Sequence, residues 1–156
     1  MLFLLFQADR DRYAIDADQL VEVLPLIHIK QIPRMPDAVA GAFDYRGTPL
    51  PVIDLSQLLL GRPAERRLST RIMVMRYPDA AGALHLLGLI AERATETFRR
   101  NPDDFSPTGV ASPEAPYLGP LLSDEHGLVQ WIEVRKLLPE AVRDMLFAPP
   151  AAAVAE

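Results

Sequence analysis

No cysteine occurs anywhere among the 156 residues, so disulfides, thiolate catalysis and cysteine-held zinc are excluded outright. Aromatic residues make up only 7% of the chain, with no Tyr/Trp cluster. That is a poor basis for the aromatic-lined groove of a peptide-binding module. No apolar run approaches the roughly 20 residues of a membrane span. The opening Met1-Leu2-Phe3-Leu4-Leu5-Phe6 is too short for a secretory signal and ends in Gln7-Ala8-Asp9-Arg10-Asp11, so a first strand is the better reading. Positive charge is in deficit as well, with 16 Lys and Arg against 21 Asp and Glu. A net charge of −5 argues against nucleic acid or an anionic membrane as the main partner. These absences predict a soluble, cytoplasmic protein with no direct membrane insertion.

Catalytic patterns are missing too. The histidines are His28, His85 and His126, and none lies three or four residues from another, so no metal site is expected. No serine sits in a Gly-x-Ser-x-Gly elbow, and no glycine pattern opens a phosphate loop. Glu22, Asp44 and Asp54 are the carboxylates that could meet in space for acid–base work. Each has a simpler role: Glu22 on the exposed face of a strand, Asp44 in a turn, Asp54 as a helix cap. The chain reads as no enzyme, with no cofactor.

What the sequence does hold is a run of short apolar segments between turn signals. Leu2 to Phe6 and Tyr13 to Ile15 flank a charged turn and predict a hairpin. Asp16 or Asp18 can cap a helical turn, after which Val21-Glu22-Val23-Leu24 alternates as a strand. Strands are expected again at Arg71 to Met75 and Leu84 to Ile90. The tract from Gly41 to Leu55 places Arg46-Gly47 between two apolar runs and ends the second at Asp54. A weaker copy returns from His126 to Leu138. Pro49 and Pro51 cannot donate to a ladder, which puts the start of their strand at a sheet edge. Helical patterning is confined to Asp54–Leu60, stopped by Gly61, and to Glu140–Phe147. Residues 148–156 have nothing to bury and are expected to be a disordered tail.

Many short strands and an internal repeat predict an all-β fold of two small barrels that share an apolar interface and fold as one unit. With catalysis set aside, attention falls on Arg46, a planar donor head on a turn, suited to a partner's carboxylate or carbonyls. The alternative is a solvated turn arginine with Gly47 supplying a positive φ. Trp131, the single tryptophan, is expected in the core.

These residues resemble the CheW-like family, the coupling proteins of bacterial chemosensory systems. The resemblance rests on Phe3-Leu4-Leu5-Phe6, Tyr13-Ala14-Ile15-Asp16, Val21-Glu22-Val23, Ile32-Pro33-Arg34-Met35-Pro36 and Val39-Ala40-Gly41. It continues through Tyr45-Arg46-Gly47, Leu50 to Leu55, Gly88-Leu89-Ile90 and Lys136-Leu137-Leu138, covering residues 1–147 as one CheW-like domain of two pseudo-repeated halves. It implies two five-stranded SH3-like β-barrels packed together, with short helices after Asp54 and at the C-terminus. It also implies a non-catalytic scaffold recruited to membrane receptor arrays. Its implied partners are the regulatory domain of a CheA-type histidine kinase and the cytoplasmic tip of a chemoreceptor (a methyl-accepting chemotaxis protein). By position, Glu22, Gly41, Arg46 and Gly47 match the receptor-coupling region, and Gly88 matches a family glycine where kinase contacts are expected. The chain departs from the family pattern at Asp44-Tyr45, at Ala91-Glu92 and at Gln130-Trp131-Ile132-Glu133. Those departures imply a divergent member from an alternative chemosensory pathway. An SH3-like peptide-binding module outside chemosensing is the competing reading.

Overall fold

The computed structural model describes residues 1–148; of the tail expected over residues 148–156, all but the first residue lies outside them. The described strands are β1 (Leu2–Ala8), β2 (Asp11–Asp16), β3 (Leu20–Pro25), β4 (Val39–Tyr45), β5 (Thr48–Asp54), β6 (Arg71–Pro78), β7 (Leu84–Arg99), β8 (Leu118–Asp124) and β9 (Gly127–Ile132). Two short helices accompany them, α1 (Leu55–Leu60) and α2 (Glu140–Leu146). Local chemistry sets several boundaries. Asp16 accepts from the Asp18 N–H at 2.9 Å and opens the 3₁₀ turn Ala17–Gln19. Asp54 accepts from the Ser56 and Gln57 N–H groups to start α1, and Gly61 ends it with φ 75°.

The pair of closed barrels is not what the strands build. Hydrogen bonding joins all nine into one mixed sheet in the order β3-β6-β7-β1-β2-β9-β8, with β4 attached through β5 and β5 pairing in parallel with β7. Among the described residues no ladder joins β3 to β4 or β8 to β7. Single bridges, Lys30–Ala42 and Ser106–Leu121, stand beside those gaps. Two physical features keep the sheet open. The segments that would have to close it carry Pro25, Pro33 and Pro36 on one side and Pro102, Pro107, Pro113 and Pro116 on the other. Proline supplies no N–H to a ladder. In addition, β7 is one strand of 16 residues that pairs with β6 and β5 early and with β1 late. A sheet that continues along one long strand has no seam at which to split.

The sequence pattern predicts an end to this strand at Ile90; the strand runs on to Arg99. It passes from one set of partners to the other through Arg93, whose φ is 52°, at a point where the register against β1 shifts between Leu5 and Gln7. That is a β-bulge, which bends a strand without ending it. Its alternation is hidden in the sequence because Ala91 and Ala94 are fully buried while Arg93 is exposed.

Segments distant in sequence are interleaved by this topology. Strands β3, β4 and β5 are completed by β6 and the start of β7, and β1 and β2 by the end of β7 and by β9. The largest apolar cluster accordingly mixes Phe6 and Ile15 with Met73, Leu89, Ile132 and Leu137. The chain should therefore unfold in a single thermal transition, and a fragment of residues 1–60 should not fold alone, since β3 and β5 would lose β6 and β7. Two separated transitions, or dispersed amide resonances from that fragment, would refute this.

Candidate partner-binding site

The β4–β5 hairpin turns through Arg46 and Gly47, with φ 52° and 88°. Positive φ at both central residues is the type I′ turn, whose twist matches that of the strands. An added Cβ on Gly47 would meet nothing within 4 Å, so glycine is needed there for its backbone angle alone. The Asp44 carboxylate accepts from the Gly47 N–H at 2.7 Å and locks the turn. Arg46 thus projects from a rigid tip, and its side chain is 75% exposed.

Glu22 comes to that tip from β3. The register against β6 shifts between Leu20 and Glu22, which turns Val21 out to 36% exposure. Glu22 is not the free outward residue that strand alternation predicts. Its Oε1 accepts from Arg46 Nη2 at 2.8 Å and from the hydroxyl of Tyr45. The Arg46 guanidinium also lies over the Tyr45 ring, 5.0 Å from its centroid. The hydrogen bond to Glu22 holds the Tyr45 phenol above its ordinary pKa. Glu22, Arg46 and Gly47, singled out by resemblance, therefore share one location. Tyr45 joins them; the sequence pattern marks it as a motif position and gives no sign that its hydroxyl reaches Glu22.

The other two site residues are interior. Gly41 is buried, and an added Cβ would sit 2.0 Å from the Lys30 carbonyl oxygen. Gly88 is buried beside Val52, and its added Cβ would lie 3.0–3.2 Å from Leu50, Ile72 and Val52. Both permit close packing beneath the surface and present no side chain to a partner.

Next to Arg46 a groove of about 320 Å³ is lined by Tyr45, Pro49, Pro51, Leu86 and Phe147. Phe147 stacks on His85 at 4.6 Å, and His85 Nε2 lies 2.7 Å from Asp79 Oδ2, an interaction that lowers the Asp79 pKa. The three carboxylates considered for acid–base chemistry are held apart in their duties. Asp44 fixes the turn, and Glu22 binds Tyr45 and Arg46. Asp54 takes three backbone N–H bonds, from Ser56, Gln57 and Ala64. Burial pushes the Asp54 carboxyl upward against those three bonds, as expected for a structural cap. Among the described residues no group of three or more His, Asp or Glu is placed to hold a metal ion, and no helix is long and apolar enough to cross a membrane. Trp131 is half-buried and meets Phe3 edge-on at 4.9 Å.

An exposed ion pair thus stands at a hairpin tip, beside a largely apolar groove and on a continuous sheet. The chain belongs to the CheW-like domain family, whose domain matches residues 2–142. It is 31% identical over 106 residues to the chemotaxis protein CheW of Helicobacter pylori, a match that takes in 67% of this chain and 61% of that protein's length. It is 23% identical over 137 residues to the chemotaxis protein CheW of Thermotoga maritima, covering 88% and 87% of the two chains. Its fold is similar to that of the scaffolding protein TtCheW from Thermoanaerobacter tengcongensis, with a TM-score of 0.75 at 19% identity over 88% of this chain and 87% of that one.

Proposed function

We propose that this chain is a non-catalytic coupling scaffold. It links the cytoplasmic tips of chemoreceptors to the regulatory domain of a CheA-type histidine kinase, in the cytoplasm and at membrane receptor arrays. Membership of the CheW-like family over residues 2–142 carries the reading, and both curated relatives are chemotaxis proteins. The Glu22–Arg46 pair at the tip of the β4–β5 hairpin is the receptor contact, and Gly47 sets its geometry. Gly41 supports the receptor-coupling region and Gly88 the kinase-facing one, each by close packing beneath the surface. Identities of 31% and 23% fit a divergent member, and the departures from the family pattern at Asp44-Tyr45, Ala91-Glu92 and Gln130-Trp131-Ile132-Glu133 are the ground for placing it in an alternative chemosensory pathway.

The peptide-binding alternative is weaker because the groove beside Arg46 is lined by no Trp, and two of its three aromatic rings are already engaged, Tyr45 by Arg46 and His85 by Asp79. Co-sedimentation tests the coupling reading. Receptor-containing membranes and the histidine kinase from the same genome should retain the kinase only when this chain is added. Equal kinase retention with and without the chain overturns the reading.

A further inference from the structure

Tyr45 connects the exposed Arg46 to the interior. The residue is 8% exposed and packs in the apolar cluster of Phe43, Leu50 and Val52, meeting the Phe43 ring edge-on at 6.2 Å. From that anchored position its hydroxyl donates to Glu22 Oε1, the oxygen that also accepts from Arg46 Nη2. Its ring meanwhile lies under the guanidinium. An arginine as exposed as Arg46 samples many rotamers when nothing restrains it, and it loses that freedom on binding. Here Arg46 meets Glu22 and the Tyr45 ring, and both contacts depend on one side chain fixed in the core.

We propose that Tyr45 is a positioning residue for recognition. It locks the Glu22 carboxylate and, through Glu22 and its own ring, holds Arg46 in one orientation before the partner arrives. Among the described residues one of the five guanidinium N–H groups is committed to Glu22 and the others have no partner, leaving them to meet a carboxylate or backbone carbonyl on a receptor tip. This role rests on the coupling reading above and adds a prediction that reading does not make. Removing one oxygen atom from a buried side chain should weaken binding at an exposed one.

The test is a calorimetric titration of the full chain with a soluble receptor-tip fragment, using Y45F, E22Q, R46A and Y45F/R46A. Y45F keeps the ring and the packing but loses the donor. It should bind about 3- to 10-fold more weakly, the range for one long side chain that must be ordered on binding. E22Q, which leaves Tyr45 in place, should show a similar loss. The Arg46 Nε resonance should show larger-amplitude motion in Y45F than in the wild type. In the R46A background the Y45F change should have a much smaller effect on affinity, because the part of its action that passes through Arg46 is already gone. If Y45F titrates like wild type while R46A loses affinity, Tyr45 is only a core residue and the coupling reading stands without it. If Y45F weakens binding equally in both backgrounds, the proposed route through Arg46 is wrong. If R46A itself binds like wild type, the receptor contact and this proposal fall together.

Discussion

Gly41→Ala should lower the free energy of unfolding by about 3 kcal/mol or more, a large share of the stability of an ordinary domain. Two independent costs combine. The residue has φ 142°, a region that side-chain-bearing residues rarely adopt. The new methyl would also lie 2.0 Å from the carbonyl oxygen of Lys30. That oxygen cannot easily retreat. It accepts from the Ala42 N–H at 3.0 Å, while the Lys30 N–H donates to the Ala42 carbonyl at 2.9 Å. Relieving the clash means breaking the bridge that ties the segment after β3 to β4. Gly47→Ala is the internal contrast. Its φ is positive but nothing lies within 4 Å of the added atom, so only the backbone term of about 1 kcal/mol applies. Urea unfolding of the two variants checks both numbers. A Gly41→Ala midpoint equal to wild type would mean that the close approach at Lys30 is absent in solution. Any binding defect in Gly41→Ala should vanish once affinity is corrected for the folded fraction, because Gly41 presents no group to a partner.

The parts legible in the sequence were those decided locally. Asp54 and Gly61 bound α1 as their capping chemistry dictates, and the Arg46-Gly47 turn closes its hairpin with glycine at positive φ. Burial also followed pattern through β4, where Val39, Gly41, Phe43 and Tyr45 alternate inward. What was not legible depends on pairing between distant segments. Whether five strands close into a barrel is decided by ladders across prolines that no local window compares. The continuation of β7 through Glu92-Arg93-Ala94 looks polar enough to end a strand, and only its pairing with β1 shows that it bulges and goes on. The site divides the same way. Arg46 was visible as a turn residue with a donor head, but the bulge that brings Glu22 to it depends on the β3–β6 register. Tyr45 was read for its place in a motif, and its hydroxyl finds a partner 23 residues away. Gly41 and Gly88 carried a family role whose physical content, close packing, appears only when their neighbours are in place.

Arg46→Glu should separate recognition from stability. The Arg46–Glu22 pair is exposed enough that its loss costs the fold only about 0–1 kcal/mol, and glutamate is no worse than arginine at the positive φ of the turn. A thermal melt should therefore shift little. Receptor binding should fall by about 1–4 kcal/mol, roughly five- to several-hundred-fold, since a charge-assisted donor is replaced by a group that repels the same acceptor. The loss could arise from two sources, the missing contact to the partner or the new repulsion between residue 46 and Glu22. The charge swap Glu22→Arg with Arg46→Glu distinguishes them. It restores an attractive pair across the same gap but leaves the wrong sign at the tip. If Arg46 touches the partner, the swap melts like wild type and still binds weakly. If Arg46 matters only by pairing with Glu22, the swap recovers affinity, and the hairpin tip is then a structural clasp with the receptor contact lying elsewhere on the sheet.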